Sequence, residues 1–99
     1  MALIYHITTA TAWAEALKTG RYEAPSLQSE GFIHNCEESQ LPAILERFYA
    51  GQQELVKLTI DTDKLSSPLV YEWSPSLQET FPHIYGPINL DAVAEARAI

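Results

Sequence analysis

Each of the three histidines in this chain lies within an aromatic or β-branched run: Tyr5-His6-Ile7, Phe32-Ile33-His34 and Pro82-His83-Ile84-Tyr85. Such runs favour extended, half-buried backbone, so three strands are expected to carry one imidazole each on a stiff frame. An imidazole changes charge near neutral pH and can donate or accept a hydrogen bond, which suits acid–base work, hydroxyl recognition or metal ligation. Any one of them could equally be a half-buried ring bonded to backbone. As a set they point to a shared site, because each buried imidazole without a partner costs roughly 1–3 kcal/mol.

The other reactive residues carry weaker signals. Three imidazoles can hold zinc with a position left open for water, but no HxH or HExxH pair occurs, so a metal site gains little support from the spacing. Cys36 precedes an expected helix, whose N-terminus can stabilise a thiolate, yet Glu37-Glu38 opposes that charge, and a buried structural cysteine is the expectation. Glu72, between Tyr71 and Trp73, is either a carboxylate held for electrostatic or base work or the solvent-facing member of an alternating strand. Tyr85 stands two residues from His83 and shares its strand face. No G-x-G-x-x-G or P-loop sequence is present.

The elements that must position these residues follow from periodicity. Residues 2–7 and the Gly31-Phe-Ile-His34 run read as short buried strands. Trp13, Ala16 and Leu17 repeat at helical spacing ahead of Gly20, which predicts a helix over 11–19. Residues 21–30, with Pro25, Ser26 and Ser29, read as a surface loop, and Asn35 as the start of a turn. Leu41, Ile44, Leu45, Phe48 and Tyr49 form the clearest amphipathic helix, with Pro42 early and Gly51 beyond its end. Residues 54–61 alternate as a strand, 61–67 as a turn region, 69–73 as another strand stopped near Pro75. Residues 83–90 read as a last central strand interrupted at Gly86-Pro87. For 91–99 a short helix or an edge strand is open, with propensity favouring helix.

The chain has 99 residues, enough for one domain with its own core. Six Lys and Arg stand against 13 Asp and Glu, a formal net charge of -7, so the long-range field repels phosphate backbones. DNA binding is excluded on that ground and RNA is an unlikely partner, while a small-molecule ligand is left open. One cysteine cannot form an internal disulfide, which fits a reducing, cytoplasmic setting. No stretch approaches the length of a membrane span, and no leader pattern opens the chain, so a soluble, unprocessed protein is expected.

Together, Tyr5-His6-Ile7, Trp13, Gly20 with Tyr22, Gly31-Phe-Ile-His34, Gln40 and Phe81-Pro-His-Ile-Tyr-Gly-Pro87 resemble the bacterial domain-of-unknown-function family 952 across nearly the whole chain. That family looks like a compact relative of the ADP-ribosyltransferase fold. The resemblance implies an α+β single domain, a split, mostly antiparallel sheet flanked by two main helices, with NAD as the cofactor in a central cleft. It implies His6, Phe32, Tyr85 and Arg21 as cofactor-binding residues, His6 on a ribose, and His34, His83 and Glu72 as the reacting group. Where the family usually has Cys-Ser after GFIH, this chain has Asn35-Cys36, and Asn35 could take over capping of the following helix. Three readings stay open: a transferase or NAD-cleaving enzyme, a non-catalytic metabolite-binding module, and, behind these, a hydrolase with a metal held by the three histidines.

Overall fold

The computed structural model describes residues 2–99. Strand β1 (Leu3–Thr9) pairs antiparallel along its whole length with β4 (Leu55–Asp61), Leu3 opposite Asp61 and Thr9 opposite Leu55. Both faces of β1 are covered, which is why it reads as a nearly unbroken apolar run. Ile4 joins Val56, Leu58 and Ile60 in one core, while Tyr5 and Ile7 join Leu41, Leu55 and Phe81 in a second. Ile4, Leu58 and Ile60 are fully buried, so truncating any of them to alanine costs about 2–5 kcal/mol.

Helix α1 (Ala10–Thr19) follows without a break. The Thr9 hydroxyl accepts the Ala12 N–H at 3.1 Å, and Gly20, at φ 90°, donates its N–H to Ala16 O and ends the helix. That left-handed step is where glycine is favoured. It turns the chain into β2 (Arg21–Tyr22), which pairs with β7 (Ile88–Asn89). A five-residue helix, α2 (Pro25–Ser29), opens on its proline. The expected loop over 21–30 therefore contains a strand and a helix, each too short to leave a periodic trace.

Strand β3 (Ile33–His34) sits at one side of β6 (Glu79–Ile84), and β5 (Leu69–Ser74) at the other, all antiparallel. Helix α3 (Leu41–Tyr49) starts from a 3-10 turn over Glu38–Gln40, where the Gln40 side chain accepts the Glu37 N–H at 2.8 Å. Asn35 does not cap it: its amide nitrogen donates to Ile33 O at 2.9 Å and to Pro82 O. The helix lays Leu41, Ile44, Leu45 and Tyr49 on the second core.

The chain ends in β8 (Val93–Ala98), antiparallel to β4, which corrects the helical preference for 91–99. Ala96 lies opposite Leu58 and Ala98 opposite Val56, so tertiary pairing overrides alanine's intrinsic preference. The expected strand 83–90 is also revised: β6 begins at Glu79, and the break at Gly86-Pro87 sends β6 and β7 into different sheets. The result is a small single-domain α+β fold with three antiparallel sheets in the orders β1-β4-β8, β2-β7 and β3-β6-β5. Tyr5 and Cys36 exchange both backbone hydrogen bonds, at 2.8 Å each, and so join the first sheet to the third.

Candidate functional site

His34 and His83 lie directly opposite each other across the β3–β6 ladder. Their rings meet edge to face at 5.3 Å between centroids. Phe32 stacks on His83 at 4.0 Å and 20° and meets His34 edge-on at 4.8 Å. Tyr85 tilts against the same phenyl ring at 5.4 Å. The GFIH and PHIYGP runs thus build one aromatic surface around two imidazoles.

Glu72, on β5, completes the group. Its Oε1 is 2.8 Å from His83 Nδ1 and also accepts the Tyr85 hydroxyl. A carboxylate accepts only, so His83 Nδ1 donates to it, and in the neutral ring the lone pair is left on Nε2. Among the described residues nothing bonds that Nε2. The Tyr85 hydroxyl, then His83, hold the Glu72 carboxyl below its ordinary range, and the same contact with Glu72 holds the Tyr85 phenol above its own. Glu72 is thus partly exposed, with its carboxylate engaged by both His83 and Tyr85. His34 is more open, its side chain 55% exposed, with Nε2 2.9 Å from Glu30 Oε2 four residues earlier.

Tyr85 is aimed by the turn that follows it. Gly86 has φ 156°, and a Cβ there would stand 2.4 Å from Ser67 Oγ, whose hydroxyl donates to Pro87 O at 2.7 Å. Only glycine leaves room for this close approach.

His6 is buried beneath the surface and has no free ring nitrogen. Nδ1 lies 2.6 Å from the His34 carbonyl and Nε2 2.8 Å from the Tyr22 hydroxyl. Since a carbonyl only accepts, Nδ1 donates to it, and in the neutral ring Nε2 accepts from the Tyr22 hydroxyl, which also lies 2.9 Å from the Thr8 hydroxyl. Burial drives the His6 pKa down to about 4, against the raising effect of the His34 carbonyl. At neutral pH this ring is uncharged and fixes the position of the His34 backbone.

Arg21 stays outside the group. It neighbours Tyr22 on β2, so its side chain leaves the opposite side of the strand, and it is exposed and bonded to Glu23 at 2.9 Å. Cys36 is buried beside Tyr5, and burial, with Glu37 behind it, pushes the thiol up to about 12. It has no nucleophilic character near neutral pH. Among the described residues no set of three or more His, Cys, Asp or Glu is placed to share a metal ion.

Two cavities flank the His6–His34 contact. The larger, about 410 Å³, is bounded by Tyr5, Ile7, Ile44, Phe48, Leu77 and Phe81. The smaller, about 310 Å³, is bounded by Thr8, Thr9, Tyr22, Pro25 and Ser26 among others. His6, Ile7, His34 and Tyr49 border both, and neither lining contains Lys or Arg. The larger cavity reaches His34 but not His83, Phe32 or Tyr85. Of the residues singled out in sequence, His34, His83, Glu72, Phe32 and Tyr85 come together, His6 supports them from below, and Arg21 is separate. Tyr22 and Glu30 belong to the network without having been singled out for it. The spacing of Glu30 four residues before His34 was the available signal; Tyr22 had none beyond its place after Gly20.

The protein is a small antiparallel α+β domain in which His34 and His83 are each bonded to a carboxylate and His34 borders both cavities. The chain belongs to the family described as "Protein of unknown function (DUF952)", whose model matches residues 7–96. It is similar to protein CC0527 from Caulobacter crescentus in its crystal structure, at 30% identity and TM-score 0.88 over 98% of this chain and 85% of that one. The solution NMR structure of CC0527 gives 30% identity and TM-score 0.85 over 100% of this chain and 85% of that one. No curated protein matches the chain. No helix among the described residues is long and apolar enough to cross a membrane.

Proposed function

We propose that the protein binds NAD or an ADP-ribose-type nucleotide in the cleft beside His34 and cleaves or transfers at the ribose carbon that bears nicotinamide. The observation that carries this reading is the Glu72–His83 pair, which presents a proton-accepting Nε2 next to a second imidazole. In the reaction the bond from C1′ to the nicotinamide nitrogen breaks and its electron pair leaves with nicotinamide. Water or an acceptor hydroxyl adds to the resulting oxocarbenium carbon. The nucleophile's proton passes to His83 Nε2, and the Glu72 carboxylate stabilises the imidazolium so formed. His34 is placed to bond a ribose hydroxyl. Phe32, already stacked on His83, keeps that ring in plane and is not available on that face to a ligand ring.

Because neither cavity is lined by a cation, the ring and ribose supply the affinity and the phosphates face solvent. The same lack of cations, with the net charge of -7, argues against RNA as substrate. The apolar lining of the larger cavity favours a second reading, a non-catalytic module that holds a small metabolite. An NMR titration with NAD, ADP-ribose and nicotinamide is expected to shift the His34 and His83 ring signals; unmoved spectra at saturating ligand would overturn the nucleotide reading. Nicotinamide release that drops in folded His83→Ala and His34→Ala variants supports the enzyme. Binding with no release identifies the module.

A further inference from the structure

The outer edges of the sheets are not treated alike. That of β1 is occupied by the Tyr5–Cys36 bridge. That of β8 is exposed but carries Glu95 and Arg97, charges that discourage another strand from pairing. β5 is the outer strand of the β3-β6-β5 sheet; no bridge occupies its outer edge among the described residues, and its one charged side chain, Glu72, is bonded to His83 and Tyr85. Between Leu69 and Ser74 it contains no Lys, Arg or Pro. Its six residues pair with β6 in unbroken register, without the irregularity that interrupts β4–β8. Val70, Tyr71 and Trp73 are exposed, Trp73 to 61%. Unblunted edges of this kind offer a row of free backbone donors and acceptors and bind extended segments by strand addition.

We propose that β5 is a docking edge for an extended, basic peptide segment of another protein. Charge selects this occupant. Glu72 lies within the strand, Glu79 faces Ser74 at its end, and Glu37 is near enough to Tyr71 to add to the effect of burial in raising its phenol pKa. The whole chain is acidic as well. A second copy of β5 would bring the same acids against these, whereas a segment alternating apolar and cationic residues answers both faces. Its apolar side chains lie along Tyr71 and Trp73, and its cations along the face that carries Glu72. The inference holds whether or not the cleft takes a nucleotide.

The test uses the whole protein and a short synthetic peptide of alternating valine and arginine, followed by amide NMR. Shifts confined to β5 and its flanks are expected. The same peptide N-methylated on alternate, edge-facing amides keeps charge and side chains but loses its donors, and its affinity is expected to fall at least about tenfold. An alternating valine and glutamate peptide is expected not to bind. Trp73→Lys, at an exposed position that leaves the core untouched, places a cation on the edge and is expected to weaken binding by a similar factor. Equal binding of the methylated and unmethylated peptides, or shifts mapping away from β5, would overturn the proposal. So would a peptide-free dimer joined through β5, which would make a second copy the occupant.

Discussion

Acid should weaken this fold chiefly through His6. Its imidazole is enclosed, with both nitrogens bonded and its pKa lowered by burial to about 4, against about 6.5 in the unfolded chain. Between those two values the unfolded state binds more protons than the native one, so stability falls as pH falls. The native contribution is intact above about pH 6.5, and its loss is complete once pH has passed below about 4. Going from about pH 7 to about pH 5, the difference in proton binding amounts to about 2 kcal/mol, a substantial part of the stability of a small domain. Glu72 adds acid sensitivity of its own, since its carboxyl is held low and loses that support as it is protonated. Comparing wild type with His6→Gln isolates the histidine: both carry the carboxylates, and only one carries the buried ring. Urea unfolding at the two pH values should show wild type losing about 2 kcal/mol more than the variant. Parallel losses in the two proteins, or a His6 ring that titrates near its unperturbed value by NMR, would refute the reasoning.

Three further outcomes are expected. Glu72→Gln replaces an acceptor-only group with one that can also donate, so ring nitrogen shifts of His83 should show mixed tautomers, and any nicotinamide-releasing activity should drop about 10–100-fold. Gly86→Ala forces a Cβ against Ser67 at a backbone angle that side chains rarely adopt. Denaturant unfolding should register a loss of about 1–3 kcal/mol, partly recovered by Ser67→Gly. Cys36, with its thiol pushed up by burial, should resist iodoacetamide at neutral pH in the native protein and react readily in urea; prompt modification of the folded chain would contradict its placement.

The parts of the fold legible in sequence were those with a long, uniform period. The stretch from Leu41 to Tyr49 announces its helix because five apolar residues fall on one stripe, and residues 55–61 announce a strand by alternation. Residues 21–30 hid β2 and α2 because two- and five-residue elements are too short for a pattern. At the C-terminus the alanines outweighed a signal that was present: Glu95 and Arg97 alternate with Ala94, Ala96 and Ala98, the period of a strand with one face inward. The candidate site was legible in part because His34, His83 and Tyr85 sit on short strand runs with little freedom of aim. What those runs could not disclose was which imidazole had free nitrogens. That depends on Tyr22 reaching His6 across 16 positions of chain and on Glu72 crossing from β5 to His83, and single-strand patterns carry no information about such partners.

The Tyr5–Cys36 pair gives the molecule a seam. The β1–β4 and β5–β6 ladders each run for six or seven residue pairs, whereas among the described residues the backbone pairing between the first and third sheets is this one bridge, beside the contact from His6 to His34 and the side-chain packing of the two cores. Amide exchange at Tyr5 and Cys36 should therefore report a partial opening of lower free energy than the one that exposes Leu58 or Ile60. Because the His6–His34 contact at that seam borders both cavities, an opening there would also widen the cleft in which we propose that a nucleotide binds, and entry of such a ligand would share its first step with unfolding. Stiffening the seam should slow ligand exchange as surely as it stabilises the chain.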